Sequence, residues 1–233
     1  MAHESVVHKM KGSPMTKARS LFLLSFLVLA GGAQAAEVED HMLSGSKFAR
    51  DKKYQEAVRE YETAVSLDPK NADANLLLGL TLANTGDLER AVQYSLAAVQ
   101  IKPSYSGYYN LGLIYANQGK YDLAVSAYEN AVKLNPKSYQ AWHQLGLVYA
   151  AALKFDKAIE AYTHVVELNP QFAPAYQGLG SAYYWAGDAP SASKQVEKLK
   201  ELKLAGKAEE LDRWIKDKEA KKAKAAPKAA PQS

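Results

Sequence analysis

Five glycines that recur at almost constant spacing constrain the fold of this chain more than any other feature. Their separations are 34, 33, 34 and 34 residues, along the series Gly45, Gly79, Gly112, Gly146 and Gly180. The stretches NLGLIYANQGKYDLA and QLGLVYAAALKFDKA, at residues 110–124 and 144–158, show how alike the surroundings of these glycines are. A period of this length is typical of proteins that stack one small structural unit. We therefore predict five units, over residues 38–71, 72–104, 105–138, 139–172 and 173–206.

Each unit carries two sets of residues at helical spacing. In four units a leucine precedes the glycine, and an apolar or aromatic residue follows it three positions later. A second set begins with an alanine twelve positions after each glycine: Ala57, Ala91, Ala124, Ala158 and Ala192. A proline then follows in four units and ends the second set, because proline cannot continue a helix. The pattern predicts two helices per unit. It also favours a close contact between helix backbones at each glycine, since glycine in a helix costs about 1 kcal/mol relative to alanine.

At these positions the chain resembles the tetratricopeptide repeat family, over about residues 38–206. Units three and four match best, and Trp142 supplies the early tryptophan of the family pattern. The positions that depart from the pattern are Ser44, Lys52, Ser95, Leu153 and Leu204. The resemblance implies an all-α fold, a right-handed superhelical solenoid of about five antiparallel helix pairs. Its concave groove would be lined by the first helix of each pair.

The two ends of the chain differ from the repeats, which together form a domain over residues 36–206. After Gly206, a predicted helix stop, residues 207–222 place Leu211, Trp214 and Ile215 on one apolar stripe, which predicts a helix that caps the stack. Residues 223–233 form an Ala/Lys/Pro tail without periodicity, which predicts disorder.

The first 35 residues have the order of a secretory signal peptide. Basic residues precede the apolar stretch at residues 21–30, Gly31 and Gly32 are predicted to break the helix, and Ala33-Gln34-Ala35 offers a cleavage site after Ala35. An apolar stretch of this length is short of the roughly twenty residues that span a bilayer. We expect a periplasmic or secreted product. Because the chain has no cysteine, its folding depends on no disulfide.

Charge and motifs disfavour several classes of function. Residues 36–193 hold 13 basic and 17 acidic residues, a net charge of −4, which argues against nucleic-acid binding. Residues 194–233 hold 12 basic and 7 acidic residues, so a weak contact between this basic end and an anionic membrane or cell wall stays open. The histidines and carboxylates are dispersed along the chain, and no catalytic or metal-binding spacing is visible. We expect no enzyme activity, no metal site and no cofactor.

If the glycine face of each first helix points into the stack, another face of the same helix lines the groove. The predicted groove residues are Leu80, Asn84, Tyr109, Asn110, Leu113, Asn117, His143, Gln144, Leu147, Gln177, Tyr184 and Trp185. They are amides, aromatics and leucines, with no lysine or arginine of the kind that some family members use to hold a terminal carboxylate. This composition favours a helix or an extended segment as the ligand.

Two hypotheses about function follow from this surface. The first is a non-catalytic scaffold that binds a peptide segment or helix of a partner protein, within a cell-envelope assembly. The alternative is a structural component that forms a homo-oligomer through its groove or its C-terminal helix. The sequence does not fix the oligomeric state, and light scattering would distinguish the two.

Overall fold

The computed structural model describes residues 14–225, and every regular element in this range is an α-helix. The helices of this range follow one another along the chain, each packed against the next. Their bounds are α1 Pro14–Arg50, α2 Tyr54–Leu67, α3 Ala72–Thr85, α4 Leu88–Ile101, α5 Tyr105–Asn117, α6 Tyr121–Leu134, α7 Tyr139–Ala151, α8 Phe155–Leu168, α9 Ala173–Trp185, α10 Ala189–Glu201 and α11 Ala205–Ala225. The predicted all-α solenoid of helix pairs is confirmed.

The turn within each pair contains one residue in the left-handed conformation. Gly86, Gly119 and Gly187 adopt it with φ of +87°, +70° and +92°. Lys52 and Leu153, where the repeat lacks its turn glycine, adopt it too, each with φ of +59°. Such a conformation costs a residue with a Cβ about 1 kcal/mol or more. The packing of the two helices therefore imposes a left-handed residue at this turn, even in the two units that lack the glycine.

The loops between pairs use side chains to begin the next helix. Asn71, Ser104 and Ser138 precede α3, α5 and α7, and each side-chain oxygen accepts a hydrogen bond from the backbone N–H three residues later, at 2.9, 3.1 and 3.2 Å. These bonds satisfy N–H groups that would otherwise lack a partner at a helix start. The first helices thus begin at fixed positions next to the proline loops.

In three units the repeated glycine makes room for a tyrosine ring of the second helix. A Cβ at these glycines would lie 2.6–2.7 Å from the nearest ring carbon, in the pairs Gly45 with Tyr61, Gly112 with Tyr128 and Gly146 with Tyr162. The predicted backbone contact is therefore wrong for these units. It is present at Gly79, where a Cβ would lie 3.0 Å from the Ser95 backbone nitrogen and 3.1 Å from the Ala91 oxygen.

The N-terminal helix is much longer than the other first helices. One helix runs from Pro14 through Gly31 and Gly32 to Arg50, so the predicted break at these glycines is wrong. Glycine lowers helix propensity without forbidding the conformation, and the flanking alanines and leucines are strong helix formers. None of the helices of residues 14–225 combines the length and apolar character that a membrane span requires.

The C-terminal helix packs against α9 and α10. Ala208, Leu211 and Ile215 are buried against a cluster that includes Val196 and Leu199. The predicted stop at Gly206 is wrong, because Gly206 lies in the first turn of α11 and the chain reverses at Lys203, with φ of +59°. Helix α11 also extends to Ala225, three residues into the predicted disordered tail. The rest of that tail lies outside the described residues.

Candidate functional site

Each first helix buries the face that carries its glycine, and the residue that follows the glycine faces the groove. Leu78, Leu111 and Leu145, which precede the glycines, are almost completely buried. Leu80 and Leu147, which follow them, are 37% and 44% exposed. This difference arises because the two positions lie on different faces of one helix. The groove face is therefore defined by the same register that defines the core.

A cavity of about 860 Å³ opens between α3, α5 and the start of α7. Three of the predicted groove residues line it: Leu80, Tyr109 and Asn110. The other lining residues are Leu76, Leu77, Tyr105, Ser106, Asn135, Lys137, Ser138, Tyr139 and Gln140. Several of these belong to the α6–α7 loop, which the groove predicted from the first helices does not include. Their place was foreseeable, because that loop leads into the start of a first helix.

The cavity has different chemistry at its two ends. Three leucines of α3 form an apolar wall, at positions 76, 77 and 80. On the α6–α7 side, Asn135, Ser138 and Gln140 offer hydrogen-bonding groups, and Lys137 is the one charged residue in the lining. Such a surface can pack an apolar side chain at one end and pair with polar backbone groups at the other. Within the described residues, no group of three or more histidines and carboxylates is arranged to hold a metal ion.

Tyrosines connect the cavity to the core beneath it. The Tyr105 hydroxyl lies 2.8 Å from the Ser138 hydroxyl, and the Tyr105 ring is 5.7 Å from that of Tyr109. Tyr109 in turn meets the ring of Tyr128 edge to face at 5.6 Å. Burial raises the pKa of Tyr109, and the neighbouring Tyr105 adds to this rise. Tyr109, a predicted groove residue, is thus packed between the rings of Tyr105 and Tyr128, and Gln144, another predicted groove residue, lies on the neighbouring first helix α7.

His143 lies among aromatic rings inside the stack. Its ring is 5.0 Å from Phe172, edge to face, and 5.8 Å from Tyr162. Burial lowers the pKa of His143, so its imidazole is neutral at pH 7. The buried Nδ1 atom has no hydrogen-bond partner among the described residues. His143 is therefore partly buried, with its Nδ1 atom covered by the protein.

The groove residues predicted from α9 contact the C-terminal helix. The Gln177 amide donates to Glu210 Oε2 at 3.1 Å. Tyr184 and Trp185 lie against Trp214, with ring centroids 5.3 and 6.1 Å away. These three residues are separated from the cavity between α3, α5 and α7 and share their surface with α11.

The remaining predicted residues do not join either group. Asn84 and Asn117 are exposed near the ends of their helices, and the Asn84 amide donates to the Leu80 carbonyl at 3.1 Å. Leu113 packs against the central core cluster, while Leu147 lies exposed on α7. Of the twelve predicted positions, three line the cavity between α3, α5 and α7, and three lie beside α11.

Two models of the tetratricopeptide repeat family match this chain. One matches residues 105–138 and 139–172, and the other matches residues 45–106. Together the matches extend from residue 45 to residue 172, which is more than half of the chain.

Curated relatives are similar to part of this chain. The Hsp70-Hsp90 organising protein of Plasmodium falciparum is 28% identical over 102 residues, which make up 40% of this chain and 18% of that protein. The photosystem I assembly protein Ycf3 of Rippkaea orientalis is 30% identical over 129 residues, 48% of this chain and 75% of that protein. The chain thus spans less than a fifth of the first relative and three quarters of the second.

Solved structures show the same architecture. The crystal structure of MamA protein has 29% identity and a TM-score of 0.67, with 84% of this chain and 100% of that chain covered. MamA of Desulfovibrio magneticus RS-1 has 25% identity and a TM-score of 0.67, over 72% of this chain and 95% of that chain.

Proposed function

Because this chain belongs to the tetratricopeptide repeat family, we propose that it is a non-catalytic scaffold that binds a segment of a partner protein. The binding site in this proposal is the cavity between α3, α5 and α7. The single observation that carries the proposal is the composition of that cavity, with leucines at one end, amides and hydroxyls at the other, and tyrosines between them.

The form of the cavity favours a polypeptide segment as the ligand. It crosses from one repeat to the next, so a ligand that fills it must extend over more than one helix. An apolar side chain of the ligand would pack on Leu76 and Leu80, and Asn110 and Gln140 would pair with its backbone. Lys137 would face an acidic residue of the segment. Few charges are desolvated by such a contact, which avoids the largest cost of burying polar groups.

The relatives support a role exerted on other proteins. One is named for organising Hsp70 and Hsp90, and another for the assembly of photosystem I. These partners are named for the relatives alone. The partner of this chain is to be identified by its fit to the cavity.

Selection from a displayed peptide library tests the site. Peptides enriched on the purified chain are measured by calorimetry against Leu80→Asp, which places a charge on the apolar wall. We expect the dissociation constant to rise about tenfold or more, because the aspartate removes apolar contact and must be desolvated.

Leu123→Asp is the matched control, since Leu123 is 48% exposed on α6 and does not line the cavity. Peptides that lose affinity equally for both variants would contradict the site. The site would also be contradicted if the purified chain selects no peptide and light scattering shows a closed homo-oligomer.

We also propose that the chain is exported and works in the cell envelope of a bacterium. The first helices α3, α5, α7 and α9 have 13 or 14 residues, whereas α1 has 37. Cleavage after Ala35 would leave residues 36–50, a helix of the usual length. It would keep Val38, which packs on Ala64 and Ala74, and would remove the Gln34 hydrogen bond to the Leu67 carbonyl.

N-terminal sequencing of protein expressed from its full gene in a bacterium should begin at Ala36, and an intact N-terminus would reject cleavage.

A further inference from the structure

Trp185 is a half-exposed indole at the end of α9. It is 50% exposed, although tryptophan is among the side chains that gain most from burial. Phe155 stacks on it with the rings 19° apart and the centroids separated by 6.3 Å. Trp185 is therefore held in a defined orientation while much of its surface stays in contact with solvent.

Three rings at this position form a corner in which neighbouring rings are nearly perpendicular. Tyr184 meets Trp185 at 79° and Trp214 at 75°, and the two indoles meet at 73°. The centroids are separated by 5.3–6.1 Å. We call Tyr184, Trp185 and Trp214 the aromatic corner. Its rings come from α9 and α11, so it exists only because α11 packs beside the last repeat.

The aromatic corner already holds a cation from the same chain. The Lys218 Nζ lies 5.3 Å from the Trp185 centroid and 5.7 Å from the Trp214 centroid. Both distances are within the range of an attractive cation–π contact. One ammonium group therefore contacts two indole rings at the same time.

Lys218 differs from its neighbours on α11 in the partner it contacts. Three other lysines of this helix pair with carboxylates at 2.7–2.8 Å: Lys207 with Glu210, Lys216 with Asp212, and Lys221 with Asp217. The positions three and four residues from Lys218 hold Trp214, Ile215, Lys221 and Lys222, none of which is acidic. Lys218 thus has no carboxylate neighbour at helical spacing, and the indoles are its partners.

We propose that the aromatic corner is a binding site for a lysine side chain of the partner protein, and that Lys218 occupies this site in the free protein. The inference rests on the proposed function, because it assigns a basic residue to the partner segment. The contact with Lys218 shows that a four-carbon ammonium side chain fits against both indoles.

Nuclear magnetic resonance of the indole N–H groups tests this site independently of the cavity between α3, α5 and α7. The chain has three tryptophans, so Trp142 on α7 serves as an internal reference. Nα-acetyl-lysine N-methylamide is titrated into the full chain and into Lys218→Met, which keeps the apolar stem and removes the charge. We expect saturable shifts of the Trp185 and Trp214 signals, with an apparent dissociation constant about threefold or more lower in Lys218→Met.

Two further variants test whether the shifts arise at the aromatic corner itself. Lys221→Met should behave as the unmodified chain, because Lys221 pairs with Asp217 instead of an indole. Trp185→Leu introduced into Lys218→Met should abolish the shift of the Trp214 signal. In both variants the Trp142 signal should keep its position, which shows that the stack is folded.

The proposal is overturned if Lys218→Met shows no saturable shift with the lysine derivative. It is also overturned if the uncharged norleucine derivative gives equal shifts, which would make the corner an apolar patch, or if only tetramethylammonium binds. Leu80→Asp should leave this titration unchanged. The proposed site in the cavity and the proposed site at the aromatic corner can therefore fail independently of each other.

Discussion

Tyr128 shows how single residues hold the repeats together. Its ring is completely buried, lies over Gly112 and meets Tyr109 edge to face. Its hydroxyl has no hydrogen-bond partner among the described residues, and burial raises the pKa of Tyr128 far above its usual value. In the first unit the matching Tyr61 hydroxyl lies 3.0 Å from the Ser46 hydroxyl. The units of Tyr61 and Tyr128 therefore share the packing of the tyrosine ring on the glycine, and they differ in the partner of the hydroxyl.

Gly112→Ala tests this account of the glycines. The added Cβ would lie 2.7–2.8 Å from three ring atoms of Tyr128, a side chain that is completely buried. We expect a loss of about 1–3 kcal/mol from overpacking, larger than the gain of about 1 kcal/mol in helix propensity. Urea denaturation followed by circular dichroism measures the change. Gly206→Ala is the control, because no atom lies within 4 Å of its Cβ position. Equal stabilities of the two variants would contradict the account.

Ser95 occupies the place of the tyrosine in the second unit. It is fully buried, and its hydroxyl has no hydrogen-bond partner among the described residues. Ser95→Ala should therefore raise the free energy of unfolding by about 1 kcal/mol, since it removes an unpaired polar group. Ser95→Tyr, which restores the family residue, should destabilise the chain because α3 and α4 approach too closely for a ring. Thermal unfolding measures both variants, and a destabilised Ser95→Ala would mean that the hydroxyl is paired in solution.

At the scale of elements, the sequence predicted helices well where a residue type enforces their ends. Pro103 and Pro136 stand just beyond α4 and α6, and Ser138 begins α7. The predictions failed where the residue type permits either outcome. Gly206 can lie in a helix as well as end one, and Lys203 carries no signal for the left-handed conformation that it adopts. Glycine is informative about a boundary only when the surrounding packing requires its conformation.

Helix α11 is expected to stabilise the last repeat and little else. Leu211 is buried against α9, with a Cδ atom 2.8 Å from the Cβ position of Gly180. Leu211→Ala should lower the free energy of unfolding of this end by about 2–4 kcal/mol, since it leaves a cavity. In a stack, each unit contacts only its neighbours. Hydrogen exchange should therefore accelerate in α9–α11 and stay unchanged in α3 and α4, whereas uniform acceleration would contradict a linear stack.

Glu209→Ala is the matched control for this helix. Glu209 is exposed two residues from Leu211, and its substitution should change stability by less than about 0.5 kcal/mol.

At the scale of the whole molecule, the sequence predicted a groove face but not the contacts that α11 makes with residues of that face. The repeat register predicted Leu80 of α3 and Tyr109 and Asn110 of α5 as groove residues, and the structure brings the three to one cavity. It could not reveal that Gln177 and Trp185 contact α11, because α11 lies outside the repeat and its docking depends on tertiary packing. The α6–α7 loop was not predicted because only the first helices were considered, although this loop leads directly into α7.

The central claim is that a partner segment binds on the first helices, in the cavity between α3, α5 and α7. Chemical-shift mapping of a selected peptide on the isotope-labelled chain tests it most directly. The account predicts that the shifted backbone signals cluster in α3, α5 and the α6–α7 loop, around Leu80, Asn110 and Lys137. Shifts concentrated on the second helices α4, α6 and α8, with these residues unaffected, would contradict it.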